Sequence, residues 1–308
     1  MSFPPLYPPL LARADLARVR FTLELLTPCR LAPFALLGLR QGLLRCARDF
    51  SGGELAQLFN PPVSSDPTAV RRFQKPAPAL VLRPLTLGPF AGEEGDTLEL
   101  ELLFLGDGLQ QIEVFLEILR ELGRCGLSTG DGRFEVTAAA CQTAVGHWPP
   151  LAIGGKEKLA PPDVIALGSW LDERLPLASP VTLKFVTPAR LVAAGRTLRR
   201  PRFAQLFPFM LRRVTSMLYY HCNLEPIDDP LPLLATAGKV EANWQSCRWD
   251  DWRELGEGGG GGRIGGVSGA MSLAAASFDE IGWVVALATL FGIGRGAAFG
   301  SGQIQLLP

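Results

Sequence analysis

Two histidines occur in the chain, and one of them closes the run Tyr219-Tyr220-His221-Cys222. Histidine is the side chain best suited to take or give a proton near neutral pH. His221 therefore reads as a general acid or base, with Tyr219 and Tyr220 beside it as further candidates. The same position reads equally as a histidine at a helix C-terminus, where the dipole favours a cation. The other histidine lies in Gly146-His147-Trp148-Pro149. There it is either plain surface or a partner for a stacked base.

A second constellation is cationic. Arg190, Arg196, Arg199, Arg200, Arg202, Arg212 and Arg213 crowd into one stretch. Arginine stays charged and matches phosphate oxygens in a bidentate fork. The stretch reads as a phosphate-contacting ridge on RNA or DNA, where each contact adds a salt-dependent share of affinity. The competing reading is a solvated loop. A third constellation is the glycine-rich tail, Gly292-Ile293-Gly294-Arg295-Gly296-Ala297-Ala298-Phe299-Gly300-Ser301-Gly302. So many glycines imply backbone close to something bulky, and a phosphate chain beside Arg295 fits that description. Gly294, Arg295, Gly296, Phe299, Gly300 and Gly302 are the expected RNA-binding positions. An apolar stretch, 278–291, precedes the tail and a short strand, 303–306, follows it. Dinucleotide sites run strand, glycine loop, helix, so the order here excludes one. A further run, 256–269, holds Glu257, Arg263 and Ser268 among glycines. It reads as a flexible hairpin tip or as a loop closing over RNA. No P-loop, serine triad, paired-carboxylate pattern or metal box stands out, so no cofactor and no metal are expected.

Composition sets outer bounds. The chain has 308 residues, 47% of them hydrophobic and 19% charged, enough for two domains with real cores. Formal net charge is zero, so any nucleic-acid footprint lies in charge distribution. Cys29, Cys46, Cys125, Cys141, Cys222 and Cys247 form no CxxC pair and read as reduced thiols. No apolar run is clean enough to span a membrane. The start, Met1-Ser2-Phe3-Pro4-Pro5, lacks a signal-peptide pattern. A cytoplasmic protein with no membrane partner is the expectation.

The elements that must position these residues follow from periodicity. Residues 17–26 alternate as a strand, and 36–48 read as a helix that carries Arg40, Arg45 and Arg48 off its leucine face. Residues 51–78 read as a long loop. Strands are expected at 79–84, 97–105 and 134–140, with an amphipathic helix at 109–122. The second half reads as a strand at 181–186, a helix at 203–222, strands at 237–249 and 266–275, a helix at 278–291 and a last strand at 303–306. Strand, helix, strand, strand, helix, strand thus occurs twice. The fold class is α+β, two tandem ferredoxin-like (RRM-like, βαββαβ) domains with a C-terminal glycine-rich loop. The expected domains are 1–145 and 179–308, joined by a Pro/Gly-rich connection over 146–178.

With these pieces placed, the chain resembles the CRISPR-associated precursor-crRNA-processing endoribonucleases of the RAMP superfamily, the sixth Cas family. Phe299-Gly300-Ser301-Gly302 before the last strand resembles that superfamily's signature. Val186-Thr187-Pro188-Ala189-Arg190-Leu191 resembles its "TPxRL" strand end, and Arg212-Arg213-Val214 through His221-Cys222 its arginine-pair helix. Gly38-Leu39-Arg40-Gln41-Gly42-Leu43 resembles its "LRG" segment. Trp249-Asp250-Asp251-Trp252 with Gly265-Gly266-Val267-Ser268-Gly269 resembles its "W-x-D-W … GGxxG" block. The resemblance implies binding of CRISPR repeat RNA and metal-independent cleavage by a ribose 2′-hydroxyl. The chain departs from the family at three places. Arg45 stands where relatives often have a histidine, Gly292-Ile293-Gly294-Arg295 replaces an "HVGK" segment, and 254–262 replaces an "RxSxRQ" stretch. Cleavage would then draw on His221, Tyr219, Tyr220, Arg45 and Arg295. The alternative is an inactive or slow subunit holding the 3′ handle of the guide RNA among other Cas proteins of an effector complex. A reading outside nucleic acids, a ferredoxin-like scaffold whose glycine loop binds a peptide or metabolite, also stays open.

Overall fold

A computed structural model describes residues 5–51, 54–73, 75–127, 131–151, 159–253, 263–276 and 278–307. The chain forms two compact units. One is Asp15–Ala166, and the other is Leu167–Pro308 together with Met1–Ala14. We call them the N-terminal and C-terminal units.

In the N-terminal unit, alternation writes the sheet. β1 (Asp15–Leu25) buries every second residue, sending Val19, Phe21 and Leu23 to the core. A short strand, β2 (Cys29–Leu31), leads to α1 (Leu39–Ser51) and α2 (Pro67–Phe73). Then come β3 (Leu80–Pro84), β4 (Phe90–Gly92), which pairs with β2, and β5 (Thr97–Leu105). The helix α3 (Ile112–Cys125) precedes β6 (Phe134–Cys141), and β7 (Pro150–Leu151) and β8 (Ile165–Ala166) add short edges. The sheet order is β3-β5-β1-β6-β7, with β8 on β1 and every pairing antiparallel. Its β3-β5-β1-β6 part is the ferredoxin-like arrangement. Phe115 of α3 fills the space above it, 5.9 Å from the rings of Phe21 and Phe104 and 6.1 Å from Phe59.

The C-terminal unit repeats the plan. After α4 (Leu167–Asp172) come β9 (Val181–Ala189), a two-residue hairpin of β10 (Val192–Ala193) and β11 (Arg196–Thr197), and α5 (Phe203–Cys222). Next are α6 (Leu231–Gly238), β12 (Glu241–Gln245), β13 (Arg248–Arg253), β14 (Arg263–Ala274), α7 (Gly282–Phe291) and β15 (Ile304–Leu307). The sheet runs β12-β14-β9-β15, with β13 also on β14. Leu206, Phe207, Met210, Val214 and Leu218 of α5 are buried, as are Val284, Leu287 and Phe291 of α7, and the two helices pack together.

Two local expectations change. The stretch 237–249 is not one strand, because α6 occupies 231–238 first. Prolines near its start pre-set helical φ, and the apolar run Leu231–Ala235 outweighs the β-branched residue that follows. The loop expected over 51–78 contains α2, whose first turn is tied by Asp66 Oδ1 accepting from the Thr68 N–H at 2.9 Å. Residues 146–178 supply β7 and β8 to one unit and α4 to the other. No described helix is long and apolar enough to cross a membrane.

Candidate nucleic-acid interface

The glycine segment folds back onto the end of β9. The Thr187 hydroxyl donates to the Gly300 carbonyl at 2.6 Å and accepts from the Gln303 N–H at 2.8 Å. The Gly302 N–H donates to the Pro188 carbonyl, and the Ile293 N–H to the Gly302 carbonyl, each at 2.9 Å. The Arg295 N–H donates to the Arg190 carbonyl at 3.0 Å, closing an isolated antiparallel bridge. Two glycines are demanded by this packing. A Cβ on Gly302 would lie 2.0 Å from the Ile293 carbonyl oxygen, and one on Gly294 would lie 2.6 Å from that of Arg190. The bulky neighbour expected at these positions is therefore the chain's own backbone. Phe299, Gly300 and Gly302 are likewise buried, which gives them the task of shaping the segment. Arg295 and Gly296 form its exposed tip, and Gly294 is half-buried. The N–H groups of Gly294 and Gly296 have no acceptor among the described residues.

Thr187 was legible only as part of the strand-end motif. It is 1% exposed, and its hydroxyl serves both an acceptor and a donor of the segment. Thr187→Val keeps the volume but strands the Gly300 carbonyl and the Gln303 N–H. The expected cost is about 2–3 kcal/mol in denaturant unfolding, and Thr187→Ser is expected to recover most of it. An unfolding midpoint for Thr187→Val equal to wild type would deny the latch.

The arginines separate into two groups. Arg190, Arg196, Arg199, Arg200, Arg202 and Arg212 are exposed. Among the described residues none of them, nor Arg295, makes an ion pair. Arg196 lies in the β10–β11 hairpin, whose tip residues Ala194 and Gly195 have φ of 46° and 75°. Arg202 caps α5, its N–H donating to Gln205 Oε1 at 3.0 Å. Arg213 is the exception, and its reading as a phosphate ligand gives way to a positioning one. Its Nε donates to the Phe291 carbonyl at 3.2 Å, its Nη2 is buried without a partner, and burial pushes the guanidinium down to about 10. It holds the C-terminal end of α7, where a cation meets the negative end of the helix dipole and the glycine segment begins. The i, i+1 spacing of Arg212 and Arg213 placed them on different faces of α5, a distinction the pair motif alone conceals.

The histidine reading also changes. β15 pairs antiparallel with β9, Ile304 opposite Phe185 and Leu307 opposite Thr182. The glycine segment therefore lies at the end of the sheet where β9 finishes, and α5 runs from that end to the other. His221 occupies the last turn of α5, about 12 Å beyond Arg213 along the helix axis at the usual rise per residue. It is buried. Tyr219 and Tyr220 beside it are half-buried, with rings edge-on at 5.2 Å. The structure does not bring these three to the glycine segment. Arg45 is exposed on α1 and His147 exposed near Trp148, both in the N-terminal unit. Of the hairpin run, 254–262 lies outside the described residues. Its flanks pair from Arg248 opposite Ser268 to Arg253 opposite Arg263, and the Ser268 hydroxyl donates to the Asp250 carboxylate.

Residues 183–304, which contain β9, α5, α7 and the whole glycine segment, match the family model of the CRISPR-associated endoribonuclease Cas6. This stretch of the C-terminal unit is similar to the Cas6 family. A second model, described as an N-terminal domain, matches residues 54–164. No curated protein matches the chain. Among solved structures, Thermus thermophilus Cas6 superposes with a TM-score of 0.57 at 18% identity, over 96% of this chain and 99% of that one. A Cas6 product complex gives a TM-score of 0.53 at 19% identity, over 96% and 100%. A partial Cas6-RT-Cas1–Cas2 complex gives 0.62 at 12% identity, over 96% of this chain and 46% of that one. At these identities the likeness speaks for the fold: the chain is built from two ferredoxin-like units in tandem.

Proposed function

We propose that this chain binds CRISPR repeat RNA across the tip of the glycine segment and cleaves precursor CRISPR RNA. One observation carries the reading. Arg190 and Arg295 are backbone partners across a bridge, both exposed and without a carboxylate among the described residues. Like charges directly opposite one another destabilise a sheet, so an anion laid between them gains on both sides. The free N–H groups of Gly294 and Gly296 add donors to the same place. Arg196, Arg199, Arg200, Arg202 and Arg212 extend the cationic surface along the chain that leads into and through α5.

The reaction is the family's metal-independent transesterification. The 2′-oxygen forms a bond to the adjacent phosphorus, the bond to the 5′-oxygen breaks, and a cyclic phosphate and a 5′-hydroxyl result. Arg190 and Arg295 serve to hold the phosphate in line and offset charge on its oxygens. Arginine does not serve as a base, so the 2′-proton leaves to water or to an RNA group. The partners adopted are repeat RNA and, since structures of the same fold include a Cas6-RT-Cas1–Cas2 complex, other Cas proteins; the setting is the cytoplasm. A second reading, slow cleavage with retention of the 3′ handle, is favoured by the distance of His221 from the glycine segment.

The test is cognate repeat RNA incubated with the protein in chelator. Cyclic-phosphate and 5′-hydroxyl ends are expected. Arg295→Ala is expected to lower the salt slope of binding by roughly one unit and to slow cleavage about a hundredfold. Binding without product selects the second reading. Binding that is absent, or flat against salt, overturns both. His221→Gln is expected to leave the pH profile of cleavage unmoved.

A further inference from the structure

The sheet face of the N-terminal unit that turns away from α3 carries a charged row. Arg83 of β3, Glu101 of β5, Arg20 of β1 and Ala140 of β6 are direct cross-strand partners, and the row continues to Pro150 of β7. Glu101 is buried, 2% exposed. Arg18 holds its Oε1, with Nε at 3.1 Å and Nη2 at 2.5 Å, while Arg18 Nη1 donates to Gln142 Oε1 at 2.6 Å. Arg20 Nη2 donates to Glu101 Oε2 at 3.3 Å, and Arg83 Nε lies 3.5 Å from Oε1. The nearest further carboxylate to Arg20 is Glu99 at 3.9 Å, about half exposed. Arg20 Nε is buried with no partner. Three guanidiniums thus face one buried carboxylate.

An aromatic ring stands at the same place. Trp148, from the loop that returns into β7, lies over the guanidinium of Arg20 at 4.1 Å and near that of Arg18 at 5.5 Å. A half-exposed arginine with an unused buried donor and a tryptophan beside it on a ferredoxin-like sheet are ingredients by which such sheets hold single-stranded RNA: phosphate on the cation, base on the ring. An acidic peptide would use the cations and leave the ring idle.

We propose that this row is a second RNA contact, with a backbone phosphate on Arg20 and an adjoining base stacked at Trp148. It rests on the repeat-RNA reading above but uses none of the residues of the glycine segment. The test titrates repeat RNA against wild type, Trp148→Ala, Trp148→Phe and Arg20→Gln at several salt concentrations. Trp148→Ala is expected to weaken binding about five- to a hundredfold, with Trp148→Phe recovering most of it. Arg20→Gln is expected to lower the salt slope by roughly one unit. Tryptophan fluorescence gives a second readout independent of affinity: RNA should quench wild type more than Trp148→Phe. If wild type binds repeat RNA and the variants share its affinity, slope and quench, this contact is overturned while the glycine-segment reading stands. If wild type does not bind repeat RNA, both fall. A polyglutamate peptide whose binding depends on Trp148 while RNA binding does not would assign the face to an acidic partner and overturn the proposal.

Discussion

Gly302→Ala is expected to destabilise the C-terminal unit by about 3–5 kcal/mol. Two terms add. Gly302 has φ of 66°, and an L-residue in that region costs about 1–2 kcal/mol. The new Cβ would also stand 2.0 Å from the Ile293 carbonyl oxygen. That oxygen belongs to backbone, so relief requires the two segments to separate. Separation strains or breaks the bonds from Ile293 N–H to the Gly302 carbonyl and from Gly302 N–H to the Pro188 carbonyl, each worth about 0.5–1.5 kcal/mol. Two controls isolate the cause. Gly195 has φ of 75° with nothing near its absent Cβ, so Gly195→Ala should show only the conformational cost. Gly238 ends α6 in open space without a positive φ, so Gly238→Ala should be neutral or slightly stabilising. Urea unfolding followed by a probe in the C-terminal unit measures all three. A Gly302→Ala protein within about 1 kcal/mol of wild type, by the strain scale used here, would mean the segment is not packed as described.

Glu101→Leu is expected to cost the N-terminal unit about 3–5 kcal/mol, the usual effect of stripping a buried ion network of its buried counter-charge. Leucine fits the space but leaves Arg18, Arg20 and Arg83 facing one another. Arg83 shows how exposed to this change the network is: burial already pushes its guanidinium down to about 10, and Glu101 works in the opposite direction. Adding Arg18→Met to Glu101→Leu should return part of the loss, because the leading partner of the carboxylate leaves with it. A double-mutant cycle on these two positions should give a coupling of about 0.5–3 kcal/mol. Strict additivity would show that the carboxylate is not held by Arg18. The result bears on function as well, since the same cations are the ones offered to RNA.

The residues that hold this protein together at its candidate RNA surfaces are those whose partners are far away in sequence. Thr187 meets Gly300 and Gln303, Arg213 meets Phe291, and Arg18 meets Glu101 and Gln142. The exposed arginines of the C-terminal unit, by contrast, need no partner, and their role depends only on where the fold delivers them.

What the amino-acid order determined by itself was periodic. Alternation wrote β1 and β5, and the 3.6-residue pattern wrote α3 and α5, the latter over the span 203–222 in which it forms. These patterns are local, because each reports which side of one element faces the core. Their succession was enough for two ferredoxin-like units. The glycine tail and its exposed Arg295 were legible for the same reason, since glycine and arginine advertise their own properties. Only the tertiary structure decided which glycines answer to backbone rather than to a ligand, that Arg213 turns inward while Arg212 does not, and that His221 lies at the far end of α5 from the glycine segment. It also set Arg83, Glu101 and Arg20 in one row. Each of these depends on strand register and helix direction, and those are fixed by pairing between distant segments that no stretch of sequence contains.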